Sequence, residues 1–188
     1  MRLENSFTAP ASPARVWAFL TDVPAVVPCM PGAELVEQVD PTTWKANVKV
    51  KLGPISMTFG ATVREEEADE ATHRLRLVAD ARELRGRGMA RAEVAASVQP
   101  SEGGSRVEIV TDLDLSGAVA QYGRGIVKDV AGQLTAAFAQ NLRDRLEGEP
   151  PAAAAVQPVS GSRLLARALL ARFRRARDET PPPAGEGA

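Results

Sequence analysis

For about eighty residues, from Leu35 to Leu115, apolar and polar side chains alternate; the period then changes once, to that of a helix. One side of the alternation carries Leu35 and Val39, then Trp44 to Leu52 at every second position, then Ile55, Met57, Phe59, Ala61 and Val63. It continues through Leu75, Leu77 and Ala79, then Gly86 to Val98, then Val107 to Leu115. The other side is charged or hydroxylated: Lys45, Lys49 and Lys51, Thr58 and Thr62, Arg85, Arg87 and Arg91, Asp112 and Asp114. Such a pattern specifies an antiparallel meander with one buried and one wet face. Turns fall at Asp40-Pro41, Gly53-Pro54, the acidic run from Glu65 to Glu70, and Ser101 to Ser105.

Beyond the meander, Val119, Tyr122, Ile126, Val130, Leu134, Phe138, Leu142 and Leu146 step by three or four. This predicts a helix from about Ala118 to Leu146, roughly 40 Å long at 1.5 Å per residue. Ser116 and Gly117 suit a turn or cap before it, and Gly148 with Pro150 and Pro151 ends it. Upstream, residues 2–9 alternate as a first strand, and Ser12-Pro13 opens a short helix through Val16, Trp17, Phe19 and Leu20. Pro24, Pro28 and Pro31 then leave room for at most one further helical turn before Gly32. The order is strand, two short helices, six strands, long helix. That is an α+β domain, a curved antiparallel sheet of about seven strands bent around the last helix.

Gly86, Gly88, Ala90, Ala92 and Ala96 occupy an inner face where a close-packed core would use Leu, Ile or Phe. Small side chains there mean a close helix approach, tight bends at the two glycines, or an apolar pocket between sheet and helix. With 4% aromatic residues, the chain has few large side chains to fill a wide gap.

Residue chemistry gives enzyme activity little support. His73 is the sole histidine and reads as a solvated turn residue; Cys29, the sole cysteine, reads as a buried or inert thiol. One His and one Cys cannot assemble the usual zinc sites, and a lone cysteine makes no intramolecular disulfide. The carboxylates of Glu65, Glu66, Glu67, Asp69 and Glu70 read as a solvated loop. Gly123-x-Gly125 lacks the context of a phosphate cradle. Those glycines would either let the helix lie close to the sheet or loosen its first turns at a pocket mouth, with Arg124 between them solvated or touching a polar group.

Charge is divided unevenly. Residues 1–161 carry a net −4 and residues 162–188 a net +3. The overall −1 argues against a nucleic-acid partner. No signal region or apolar run of about 20 residues is evident, so a cytoplasmic protein is expected, with any membrane contact peripheral.

The helix-grip order resembles the START-like (SRPBCC) superfamily, and within it the CoxG family, the G component of carbon monoxide dehydrogenase. The resemblance rests on Cys29-Met30-Pro31-Gly32-Ala33, Val50-Lys51-Leu52-Gly53-Pro54-Ile55, Phe59-Gly60, Gly86-Arg87-Gly88 with Ala90 and Ala92, and Gly117 through Gly125. It covers about residues 1–147. It implies a helix-grip (START-like) ligand domain at 1–148 and a non-catalytic accessory protein of an aerobic CO dehydrogenase or related molybdenum hydroxylase. Such a protein is expected to hold an apolar quinone-like lipid (menaquinone- or ubiquinone-like) and to recruit the enzyme to the membrane. The family often has a paired aromatic in the last helix; Ala137-Phe138 supplies one here. Facing places Met57, Phe59, Leu77, Ala90, Ala92, Val94, Tyr122, Ile126 and Val130 around the expected pocket.

A Pro/Ala linker (149–161) and a disordered end (178–188) flank a predicted basic amphipathic helix at 162–177. Leu165, Leu169 and Phe173 form its apolar stripe beside Leu170, while Arg163, Arg167, Arg172, Arg174 and Arg175 occupy much of the rest. That pattern fits an interfacial helix on an anionic membrane surface; docking on protein is the other reading. Competing functions are a cyclase or hydrolase on the same scaffold, and a recruitment subunit with a filled core and no ligand.

Overall fold

A computed structural model describes residues 1–52 and 55–148. The expected linker, basic helix and end (149–161, 162–177 and 178–188) lie outside the described residues. The chain forms β1 (Arg2–Ala9), α1 (Pro13–Thr21), α2 (Val23–Val26), a 3-10 turn (Val27–Cys29), β2 (Ala33–Asp40), β3 (Thr43–Leu52), β4 (Ile55–Asp69), β5 (Arg74–Glu83), β6 (Gly88–Ser101) and β7 (Gly104–Gly117). A second 3-10 turn (Ala118–Tyr122) and α3 (Gly123–Leu146) follow. All seven strands join one antiparallel sheet in the order β1-β7-β6-β5-β4-β3-β2, so the first strand pairs with the last.

Local chemistry sets the boundaries. Ser12 Oγ accepts the Arg15 N–H at 3.4 Å and Pro13 occupies the first turn of α1. Asp22 ends that helix through its own N–H to the Phe19 carbonyl, and its side chain accepts the Ala25 N–H to start α2. The stretch to Gly32 therefore makes an α-turn and a 3-10 turn, slightly more helix than the prolines suggest.

Three expectations need correction. The acidic run is not a loop: β4 continues to Asp69, with its register shifted between Glu65 and Glu67. The turn comes after it. Asp69 accepts the Thr72 hydroxyl at 2.6 Å and the Ala71 and Thr72 amides, and these bonds hold its carboxyl below the usual range. Val39 is 48% exposed: the register shift between Leu35 and Glu37 puts Gln38, not Val39, opposite inner-facing Trp44, and Val39 is itself passed over at the second shift, between Gln38 and Asp40. The long helix does not begin at Ala118. Gly117 and Gly123 have φ of 72° and 77°, and the Ala118 N–H donates to the Arg87 carbonyl at 2.7 Å instead of waiting for a helical partner.

The filled part of the core lies at one end of the sheet. There Val16, Trp17, Cys29, Val98, Val107, Phe138 and Leu142 pack together, with Phe7 meeting Phe138 edge to face at 5.8 Å. Polar ties fix the last third of α3 to it. Arg15 donates to the Leu146 carbonyl at 2.6 Å, Asn141 to the Cys29 carbonyl at 2.9 Å and Arg143 to the Thr8 carbonyl at 3.0 Å.

At the other end β6 and β7 meet at two glycines, Gly88 opposite Gly117. A Cβ on Gly88 would sit 2.4 Å from the Ser116 carbonyl oxygen and 2.5 Å from Val119 Cγ2; one on Gly117 would meet Gly88 Cα at 2.8 Å. By contrast, a Cβ on Gly125 or Gly132 in α3 would meet nothing within 4 Å. Thermal melts should separate the two kinds. Gly88→Ala is expected to destabilise by about 2 kcal/mol or more, while Gly125→Ala or Gly132→Ala should stabilise by about 0.5–1 kcal/mol.

Candidate functional site

Strand register turns the scattered small residues into a surface. Ala46 pairs with Ala61, Ala61 with Ala81, and Ala81 with Ala90, so four strands in a row present alanine across the concave face. Leu35 and Leu115 bound the row at its two ends. The next row, toward the filled core, runs Trp44, Val63, Ala79, Ala92, Leu113. Over β5, β6 and β7 these side chains are only half-buried: Ala79, Ala81, Ala90, Ala92, Val94, Thr111, Leu113 and Leu115 all keep solvent-accessible surface beneath a sheet-covering helix. In a close-packed interior such positions would be sealed.

The N-terminal half of α3 explains the opening. The buried residues of α3 are Phe138, Ala139, Leu142 and Leu146, all in its second half, whereas Ile126 is 46% exposed. Side chains added at Gly123, Gly125 or Gly132 would touch nothing, so the close-approach explanation for the helix glycines fails; Gly123 is needed for its positive φ at the junction. Between α3 and the edge strand β1 lies an open groove of about 500 Å³, lined by Leu3, Glu4, Asn5, Lys128, Asp129, Gly132, Gln133 and Ala136.

Of the residues expected around the pocket, Met57, Phe59, Tyr122 and Val130 meet in one cluster at the glycine-crossing end, and Ile126 lies at its exposed rim. Val119, absent from the expected lining, joins them there. Ala90, Ala92 and Val94 form the half-buried floor, while Leu77 packs against the filled core. Gly86 and Gly88 are not pocket wall. Gly86 sits in the β5–β6 turn at φ 74°, as the tight-bend reading has it, whereas Gly88 opens β6 and answers to close approach, with the Ser116 carbonyl and Val119 where a Cβ would stand.

Sequence reasoning missed Glu83. It is the last residue of β5, on the inner-facing parity opposite Phe59, and its side chain is 2% exposed. Oε2 accepts the Arg85 and Arg87 amides at 2.9 and 3.1 Å, with Arg87 Nε 4.0 Å away. A carboxylate at a strand end, two and four residues before the amides of a glycine-rich turn, was the available signal. It folds back to brace the tip and is satisfied locally.

The remaining reactive groups stand apart. His73 is half-buried at φ 49°, its ring 5.6 Å from that of Trp17, and so is less solvated than a bare turn residue. Cys29 is buried in the filled core, and burial pushes its thiol pKa up against the opposing pull of Arg145. Among the described residues, no group of three or more His, Cys, Asp or Glu is placed to hold a metal. No helix among them is long and apolar enough to cross a membrane.

The sequence matches, over residues 6–147, the profile of the family described as CoxG, the G component of carbon monoxide dehydrogenase. The chain belongs to the CoxG family. No curated protein matches it by sequence. Among solved structures it is similar to a conserved protein from Geobacillus kaustophilus (TM-score 0.70, 17% identity, covering 78% of this chain and 95% of that one). It is also similar to a Thermus thermophilus protein (0.58, 16%, 78% and 97%) and to the Zhui aromatase/cyclase of a Streptomyces species (0.57, 13%, 79% and 98%). At these identities the likeness shows the fold: a START-like seven-stranded antiparallel sheet with a long C-terminal helix. CoxG membership and this fold support a ligand-binding accessory role.

Within this CoxG domain the thiol should behave as core. A thiol-directed reagent at mildly alkaline pH is expected to leave Cys29 unmodified in the native chain and to react stoichiometrically once guanidinium unfolds it, because burial both blocks access and disfavours the thiolate. Rapid labelling of the native protein would contradict that placement.

Proposed function

We propose that the protein is a non-catalytic accessory subunit that holds an apolar, quinone-like lipid between the alanine floor and α3. It brings a molybdenum hydroxylase of the CO dehydrogenase type to the inner face of an anionic membrane. The observation that carries the reading is the half-buried floor of Ala79, Ala81, Ala90 and Ala92 on the concave face, together with the lightly buried first half of α3, in a chain of the CoxG family. Apolar floor area favours a hydrophobic guest at about 25 cal/mol per Å² removed from water. Half-buried Tyr122 supplies a phenolic donor at the edge of the Met57–Phe59 cluster, suited to a quinone carbonyl.

Residues 162–177 would be the anchor. Leu165, Leu169 and Phe173 contribute up to ~1.5–3 kcal/mol each on full burial, and each arginine near an anionic leaflet ~1 kcal/mol. Ordering an isolated helix of this length costs part of that sum, which leaves a reversible, salt-sensitive attachment.

A second reading, a cyclase on the same scaffold, is favoured by the likeness to an aromatase/cyclase. That chemistry needs a convergent acid–base pair on the concave face. Glu83, the carboxylate found there, is committed to the Arg85 and Arg87 amides. A purely structural recruitment subunit is separated by ligand content alone.

Two measurements test the proposal. Native mass spectrometry and lipid extraction of the purified chain should yield a stoichiometric apolar lipid, and Ala90→Phe should reduce it at least tenfold, about 1.4 kcal/mol, without lowering the melting temperature. A protein that is lipid-free and takes up no quinone would overturn the ligand reading. Removing residues 160–188 should sharply reduce flotation with anionic liposomes at low salt; equal flotation of both forms would sink the tail as anchor.

A further inference from the structure

Charge on the folded domain is sorted to two ends. The β3–β4 hairpin, the β5–β6 tip and the segment leading into α3 (residues 49–58, 82–89 and 115–126) carry six Lys or Arg and one carboxylate, the buried Glu83. The ends of the three hairpins on the opposite side (residues 37–43, 65–73 and 99–104, strand ends and turns together) carry eight carboxylates and no Lys or Arg. Pairing differs as well. Away from the basic end, Arg64 and Arg91 reach Asp80 and Arg106 reaches Glu108, while Lys45 and Arg76 reach the far-end carboxylates of Glu37 and Glu66. Lys49, Lys51, Arg82, Arg85 and Arg124 are exposed and make no salt bridge among the described residues.

Three of the five exposed large apolar side chains among the described residues surface at the same end, the other two, Val36 and Val39, being on β2. Leu84 is 63% exposed, Met89 49% and Ile126 46%, on the hairpin tip, the start of β6 and the first turn of α3. The hydrogen bonds Leu84 N–H to Thr58 carbonyl and Ala118 N–H to Arg87 carbonyl set these elements side by side. Apolar side chains interspersed with unpaired cations are the composition of a surface that sits at an anionic lipid interface. The half-buried floor begins one register step inside it, at Ala81, Ala90 and Leu115.

We propose that this basic end of the folded domain is itself a membrane-contact surface. Lys49, Lys51, Arg82, Arg85 and Arg124 rest on the headgroups of an anionic phospholipid bilayer, and Leu84, Met89 and Ile126 enter its interface. The open side of the concave face then meets lipid directly, and an apolar ligand passes between bilayer and floor without crossing water. The acidic far end is held away from the anionic leaflet, which fixes the orientation. The inference rests on the lipid-binding reading above, but not on the tail.

The experiment labels the full chain at Leu84→Cys with an environment-sensitive fluorophore, Cys29 being buried. Met89→Cys serves as a second site and Val39→Cys as a far-end control. Vesicles of phosphatidylcholine with phosphatidylglycerol should shift the 84 and 89 labels to the blue and shield them from iodide, at least fivefold for quenching, leaving the 39 label unchanged. Pure phosphatidylcholine should do neither, and Arg85→Glu with Arg124→Glu should cancel the shift while the chain still floats through its tail. Labels at 84 and 89 that stay in water on a floating chain would overturn the proposal and leave the tail reading intact. A shift that persists when Arg172, Arg174 and Arg175 are replaced by Ala would support it even if the tail is no anchor. A shift produced by the partner enzyme but not by vesicles would assign the surface to protein and overturn it.

Discussion

Everything about this domain depends on the helix α3 being held far more deeply at one end than at the other. From Phe138 onward it is sealed by Phe138 and Leu142 in the filled core and tied by Arg15, Asn141 and Arg143, which bridge to Leu146, Cys29 and Thr8, whereas its first half packs through Val130 without a fully buried residue. Its first half carries three glycines with open space beside them and an exposed Ile126. Because interiors pack densely, a helix anchored firmly over one half of a curved sheet need not seal the other half. Stability and vacancy are thus allotted to opposite ends of the same element.

The glycine crossing makes that division possible. Gly88 and Gly117 let β6 and β7 approach so closely that no Cβ fits, and the Ala118 amide is drawn to the Arg87 carbonyl. The chain therefore leaves the sheet through a 3-10 turn and enters α3 only at Gly123. Val119 and Tyr122 are delivered into the cluster of Met57 and Phe59, which Ala81 joins from the alanine row. Glu83 braces the neighbouring tip by accepting two amides of its own turn. A buried carboxylate satisfied in this way costs far less than an isolated one, so it can sit beside the apolar residue Phe59.

Much of the fold was legible because its signals are local. Alternation specified the strands, Ser12-Pro13 the start of α1, and the stepping of Phe138, Leu142 and Leu146 the fastened part of α3. Errors arose where a long-range bond competes with a local pattern. The run from Glu65 to Glu70 read as loop, yet cross-strand pairing with β5, including Arg76 to Glu66, carries it as strand to Asp69. Val39 kept its parity in the sequence and lost it to the register shift between Leu35 and Glu37 in β2.

The sequence by itself determined the element order, the amphipathic faces, the scarcity of large inner side chains and the membership of a family. Only the tertiary structure decided that Ala46, Ala61, Ala81 and Ala90 stand in one row, because register is set by backbone hydrogen bonds between strands that the chain separates by hairpins of unequal length. It also decided that a chain of net charge −1 is basic at one end and acidic at the other. Charge totals are additive along a sequence, but a field depends on which turns the fold gathers together.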